Sequence, residues 1–126
     1  MKILVTGSTG FIGSSLVLKL LDRGDEVIGI DNHNDYYDPS LKEARLDRHR
    51  DHPNYSHYRI DIEDEDSIKD LFMKNEFEGV VNLAAQAGVR YSIENPLAYV
   101  HTNMLGFAHI LEGCRHQKVS HLVYAS

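Results

Sequence analysis

The chain has 126 residues, 42% hydrophobic and 25% charged, the proportions of an ordinary globular protein and enough for one domain or a substantial piece of one. Its formal net charge is −6 with no cluster of lysine and arginine, which sets aside nucleic acid and anionic membranes as partners. Cys114 is the single cysteine and closes no intrachain disulfide, and the start, Met1-Lys-Ile-Leu-Val-Thr-Gly, lacks the apolar run of a signal peptide or membrane helix, so a cytoplasmic protein is expected.

Lys2–Thr6 is a short apolar run ending at a glycine and reads as a buried strand. Phe11–Arg23 follows as a helix, with Ile12, Leu16, Leu20 and Leu21 on one face and Gly24 as its stop. Glu26–Ile30 is a second apolar strand ending at Asp31. Positions 32–39 read as a polar and aromatic loop, after which Ser40 is placed to cap a helix running to about Arg50. Tyr55–Ile60 is the third strand. The acidic run Asp61–Asp66 is a loop and helix start, where acids favour the dipole, and Ser67–Lys74 lies in the helix with Ile68, Leu71 and Phe72 inward. Gly79–Ala84 is a fourth, almost wholly apolar strand. Pro96–His116 is a long helix carrying Val100, Met104, Phe107, Ile110 and Leu111 at helical spacing, with Cys114 near its end as inert packing. His121–Ala125 is the fifth strand. Strands and helices alternate, and the strands are apolar on both faces. The chain is therefore predicted to be α/β, a Rossmann-type doubly wound parallel sheet in order 3-2-1-4-5.

The sharpest motif is Gly7-Ser-Thr-Gly10-Phe11-Ile12-Gly13, set between the first strand and first helix. The first glycine permits a tight turn, the second lets a diphosphate approach the backbone, and the third lets the helix pack closely on the strand. Amides freed at the helix start, with the helix dipole behind them, attract the pyrophosphate. Asp31, at the end of strand two, is placed to accept hydrogen bonds from both hydroxyls of an adenosine ribose. That carboxylate repels a 2′-phosphate, and no arginine stands at positions 32 to 34 to offset it, so NAD rather than NADP is the expected cofactor. The plainer alternative is that Asp31 merely starts a turn with Asn32. No metal site is expected: His49 and His52 lie three apart but lack a third ligand at motif spacing, and a solvent-exposed polar face accounts for them better.

The Gly-x-x-Gly-x-x-Gly spacing resembles the extended short-chain dehydrogenase/reductase superfamily, and later segments agree over the whole chain. Asp61-Ile62 resembles the pair that contacts adenine in that superfamily. Asn82-Leu83-Ala84-Ala85-Gln86 resembles the strand-four segment lining the nicotinamide ribose, and Asn103 the helix asparagine that steadies the active-site backbone. Within the superfamily, segments 31–38 and 87–92, with the closing Leu-Val-Tyr-Ala-Ser, resemble UDP-glucuronate 4-epimerases, a type carried by bacterial capsule and lipopolysaccharide synthesis proteins. The resemblance implies a cofactor set of Gly7, Gly10, Phe11, Ile12, Gly13, Asp31, Asn32, Asp61, Ile62, Leu83, Ala84, Ala85, Gln86 and Asn103. It also implies a UDP-sugar substrate, and a homodimer formed through helices that include Pro96–His116. Arg90 suits a planar anion of the substrate or a surface salt bridge, and both readings stay open. So do those of Tyr36 and Tyr37, which pack over adenine or ribose or anchor the long loop.

In such enzymes NAD+ takes hydride from sugar C4 while a tyrosine, its pKa lowered by a lysine four residues on, removes the hydroxyl proton. None of Tyr36, Tyr37, Tyr55, Tyr58, Tyr91 and Tyr99 has a lysine four places on, and Tyr124 lies too near residue 126 to test. No catalytic residue is therefore assigned within the chain. It is expected to be a truncated N-terminal part of an NAD-binding domain, inactive alone, with apolar surface exposed on its fifth strand and nearby helices. Two other functions remain: a nucleotide-sugar dehydratase or decarboxylase of the same superfamily, and a dinucleotide-sensing regulator without the tyrosine–lysine pair.

Overall fold

The side chains of β1 (Lys2–Thr6) point alternately to two separate cores, and that alternation sets the layers of the molecule. A computed structural model of the chain describes residues 1–33, 39–85 and 89–125. Leu4 packs on one face of the sheet with Ile28, Ile30, Val80, Ile68, Phe72 and Ile110. Ile3 and Val5 pack on the other with Val17, Leu20, Leu21, Val27, Leu46 and Tyr55. Strands buried on both sides are the mark of a parallel sheet covered by helices.

Five parallel strands stand in the order β3-β2-β1-β4-β5, as predicted. β1 pairs along its whole length with β2 (Glu26–Ile30), and from Ile3 to Thr6 with β4 (Gly79–Asn82). β3 (Tyr55–Tyr58) lies outside β2, and β5 (His121–Tyr124) outside β4. The third, fourth and fifth strands are each shorter than their apolar runs, because Ile60, Ala84 and Ala125 belong to the connections leaving the sheet. The chain turns from one side of β1 to the other between β3 and β4, so the carboxyl ends of β1 and β4 flank a topological switch point, where open α/β sheets hold ligands.

The helices follow prediction with instructive departures. α1 (Phe11–Asp22) buries Gly13, Ser14, Val17, Leu20 and Leu21. Ile12, expected inward, is 67% exposed, because the first turn of α1 overhangs a cleft at the sheet's edge. α2 (Pro39–Asp47) begins at a proline, whose fixed φ suits a first helical position, and not at a cap on Ser40. It ends before Arg50, and His49, expected on a solvated face, is instead 2% exposed with its ring edge-on to Tyr55 at 4.5 Å. The residues after Asp47 leave the helix face, so periodicity misplaces them. α3 (Glu65–Lys74) is capped by Asp64, which accepts from the Ser67 amide, and buries Ile68, Leu71 and Phe72. α4 (Val89–Glu94) was not predicted; six residues without an apolar repeat leave no period to read.

The long helix predicted at Pro96–His116 exists but is not uniform. Asn95 caps it by accepting from the Ala98 amide, α5 (Pro96–Tyr99) opens it, a π-helical stretch follows over Val100–Gly106, and α6 (Phe107–His116) completes it. A π turn inserts residues relative to the α repeat, so positions before it do not share a face with those after. Ile110 is fully buried, whereas Val100, Met104 and Leu111 stand 46%, 67% and 43% exposed. Cys114 is half-buried on α6 against the core, and burial pushes its thiol up to about 11, consistent with inert packing.

Candidate dinucleotide cleft

At the switch point the sequence Gly7–Gly13 leaves β1 and enters α1, and Gly7, Gly10 and Gly13 line the cleft above it. Gly7 holds φ +69°, a conformation that disfavours side chains, and a Cβ there would meet the Leu83–Ala84 peptide at 2.9 Å. A Cβ on Gly13 would collide with the Gly7 carbonyl oxygen, so the helix seats directly on the turn. The turn is pinned to the second strand by the Gly7 and Ser8 amides, both donating to the Ile30 carbonyl at 2.9 and 3.2 Å. Gly10 caps α1 with backbone alone and offers no side-chain bond to the first turn. Helix geometry therefore leaves the amides of Phe11, Ile12 and Gly13 without intrahelical partners, and all three residues line the cleft. Three such donors at a helix N-terminus form a cradle for an anion.

The cleft has a volume of about 550 Å³. The turn forms its floor through Gly7, Gly10, Phe11, Ile12 and Gly13; Ile30, Asp31 and Asn32 close one end, and Ile60, Asp61 and Ile62 continue that wall. Leu83, Ala84 and Ala85 form the opposite side. The structure thus brings together every predicted site residue except three. Gln86 and the side chain of Arg90 lie outside the described residues, as do Tyr36 and Tyr37. Asn103 sits in the π-helical stretch, where its neighbour Thr102 is the residue that lines the cleft.

Asp31 is 4% exposed, and three donors meet its carboxylate. One oxygen accepts from the His33 amide at 2.8 Å and from Lys42 Nζ at 2.9 Å; the other accepts from the Thr9 amide at 3.3 Å. Burial pushes this carboxyl up, but the Lys42 bond and charge, with the two amides, outweigh it and hold the group below its ordinary range. Asp31 is thus an anion with a fixed orientation, able to accept further hydroxyls. The acid at the other end of this wall, Asp61, accepts from Asn32 Nδ2 at 3.4 Å and from the Glu63 amide at 2.9 Å.

Sequence reasoning missed several residues that shape the cleft. Thr6, buried at the end of β1, donates to Asn82 Oδ1 at 2.6 Å and accepts from the Leu83 and Ala84 amides at 3.1 and 3.0 Å. It therefore fixes the exit of β4 against the glycine turn, a role that a strand-terminal threonine does not announce. Leu41, Lys42 and Arg45 of α2 also line the cleft, though they stand 10 or more residues past Asp31 in the chain. Thr102 donates to Glu63 Oε1 at 2.7 Å, and His109 Nδ1 lies 2.7 Å from the Ile62 carbonyl, tying the Asp61–Asp64 turn to the long helix. Beneath the turn runs a row of polar groups, from exposed Glu43 inward. Glu43 meets His33 at 3.2 Å, His33 Nε2 lies 2.8 Å from His57 Nε2, and His57 Nδ1 lies 2.9 Å from the Tyr55 hydroxyl, itself 3.4 Å from Ser8 Oγ. Burial and the neighbouring His33 hold the His57 imidazole down to about 4, and burial pushes the Tyr55 phenol up to about 12.

The family model described as GDP-mannose 4,6 dehydratase matches residues 4–126. Protein CapI of Staphylococcus aureus is 51% identical over 126 residues, a span covering 100% of this chain and 37% of that protein. UDP-glucuronate 4-epimerase 4 of Arabidopsis thaliana is 49% identical over 116 residues, 90% of this chain and 26% of its own. The crystal structure of UDP-glucuronic acid 4-epimerase from Bacillus cereus, in complex with UDP-glucuronic acid and NAD, superposes with a TM-score of 0.89 at 33% identity, covering 98% of this chain and 39% of that one. The chain therefore spans well under half the length of the relatives it matches. With its 3-2-1-4-5 sheet and a family match running from residue 4 to residue 126, the chain belongs to the NAD-dependent epimerase/dehydratase family of extended short-chain dehydrogenase/reductases.

Proposed function

We propose that this chain is the NAD-binding part of a nucleotide-sugar 4-epimerase that interconverts UDP-glucuronate and UDP-galacturonate. The observation that carries the reading is the pairing of two binding devices across one cleft, the open amides of Phe11–Gly13 and the oriented carboxylate of Asp31. A dinucleotide fits both: its diphosphate meets the amides, and its adenosine ribose donates to Asp31. Asp61 and Ile62 border the adenine, while Leu83, Ala84, Ala85 and Gln86 border the nicotinamide ribose, and Asn103 steadies the backbone nearby. A nicotinamide cofactor held there supplies reversible hydride acceptance at the sugar's C4.

The residues of this chain bind and orient; none is placed to move the hydroxyl proton, because no testable tyrosine has a lysine four positions on. The catalytic tyrosine and lysine, and the remaining sugar contacts, are proposed to lie in further sequence of a longer protein, with Arg90 facing an anionic group of the UDP-uronate and the long helix serving in a dimer. The uronate branch is supported by the relatives named epimerases of UDP-glucuronate. Purified as 126 residues, the chain is expected to bind NAD in a calorimetric titration and to produce no UDP-galacturonate from UDP-glucuronate. Failure of both the chain and the longer protein to bind NAD overturns the site assignment, and product formation by the chain alone overturns its inactivity.

A further inference from the structure

The wall of the cleft that carries Asp61 and Ile62 is held from outside its own turn. Within the turn, the Glu63 amide donates to Asp61 Oδ1 at 2.9 Å and the Asp64 amide to the Asp61 carbonyl at 3.0 Å. These local bonds set the carboxylate against its own backbone, as in any aspartate turn, but not its place in the cleft. Asn32 Nδ2 reaches the other Asp61 oxygen at 3.4 Å, long for a hydrogen bond.

The shorter bonds come from the long helix. Thr102, Gly106 and His109, spaced four and three residues apart, meet the turn in succession. Thr102 Oγ1 donates to Glu63 Oε1 at 2.7 Å, a charge-assisted bond. A Cβ on Gly106 would stand 2.5 Å from Ile62 Cγ1. His109 Nδ1, which carries the proton because a carbonyl only accepts, donates to the Ile62 carbonyl at 2.7 Å. Of the three, Thr102 also lines the cleft. One route therefore runs from the helix to the acid: the Thr102 hydroxyl fixes the Glu63 side chain, and the Glu63 amide fixes the Asp61 carboxylate.

The geometry points to Thr102 as a positioning residue for adenine recognition, acting through Glu63 on the Asp61 carboxylate. This assignment rests on the reading of the cleft as a dinucleotide site with its adenine against Asp61 and Ile62. A carboxylate beside a purine accepts from the 6-amino group of adenine and repels the 6-oxo group of hypoxanthine, so its orientation sets the choice between the two bases. Loss of that orientation lowers selectivity, whereas a general loosening of the fold weakens both dinucleotides alike.

Calorimetric titrations of the full chain with NAD and with nicotinamide hypoxanthine dinucleotide measure the selectivity as a ratio of Kd values. The chain is expected to bind NAD at least about tenfold more tightly. Thr102→Val keeps the shape but removes the donor, and is expected to lower the ratio about three- to tenfold. Thr102→Ser, which keeps the hydroxyl, is expected to stay within about twofold of the unsubstituted chain. Glu63→Ala removes the same contact from its other side and is expected to lower the ratio similarly, with the double variant no lower than either single one. Circular dichroism checks the fold of each variant, and Glu63→Ala decides alone if Thr102→Val does not fold. An unchanged ratio in Thr102→Val and Glu63→Ala, equal weakening of both dinucleotides, or as large a loss in Thr102→Ser overturns the assignment while the NAD site stands. So does a ratio near one in the unsubstituted chain. Binding of neither dinucleotide overturns both.

Discussion

Three donors meet Asp31 in the cleft, and each of them narrows what the carboxylate can do. Asp31→Asn keeps the shape but removes the charge that Lys42 and the ribose hydroxyls answer. Loss of charge-assisted bonds of about 1.5–3 kcal/mol predicts a rise in NAD Kd of about 10- to 100-fold, measurable by titration. Gly13 is sensitive for a different reason: its neighbour is backbone and cannot rotate away. Gly13→Ala is expected to destabilise at the upper end of the about 1–3 kcal/mol range for overpacking, seen as a lower urea midpoint. Beneath the turn, His57 is held from an ordinary 6.5 down to about 4 by burial, and buried His49 is lowered too. The unfolded chain then takes up protons first on acidification, so the stability tied to these imidazoles is full above pH 6.5 and falls from there toward pH 4. The Asp31 carboxyl, lowered in the folded state, adds a further loss below about pH 3.8. Melting temperatures measured at steps between pH 7 and pH 4 should show the first decline, and His57→Gln should flatten it.

The long helix meets the cleft through Gly106, which presses on Ile62: a Cβ there would come within 2.5 Å of Ile62 Cγ1. The obstacle is a side chain that can shift, and that side chain belongs to the cleft wall. Gly106→Ala is therefore expected to destabilise by about 1–2 kcal/mol and also to weaken NAD binding, a pairing that separate melting and titration experiments can detect. The same helix shows where sequence periodicity ends. Strand order, the glycine turn and the two halves of the core were legible because each is written in contiguous residues: Leu4 beside Ile3 and Val5, or Gly7 three before Gly10. The π-helical stretch was not: no period in its own residues marks it, and the bonds that tie the long helix to Ile62 and Glu63 join positions some 40 residues apart. Lys42 and Arg45 were missed for a similar reason. They look like ordinary solvated helix positions until α2 is laid beside the end of β2. Buried His49 and the His33–His57 contact likewise depend on tertiary packing, which pattern reading does not reach.

At the scale of the whole molecule, the sheet has two edges, β3 and β5. β5 is an edge strand with Val123 and Tyr124 60% and 54% exposed, and on the long helix Leu97 and Met104 are 68% and 67% exposed. Such a row of unpaired strand and apolar side chains favours association. Sedimentation of the 126-residue chain is expected to show concentration-dependent oligomers, with Val123→Lys shifting the population toward monomer. The position of β1 has a consequence for synthesis. Its two neighbours are made at different times: Ile30 completes one partner soon after it, but Asn82, which pairs with Thr6, follows it by 76 positions. At ribosomal rates of about 5–20 residues per second, the first strand waits roughly 4–15 s with one edge bare. Nascent chains stalled before Gly79 should accordingly be captured by a holdase chaperone, and those stalled well past Asn82 should escape it.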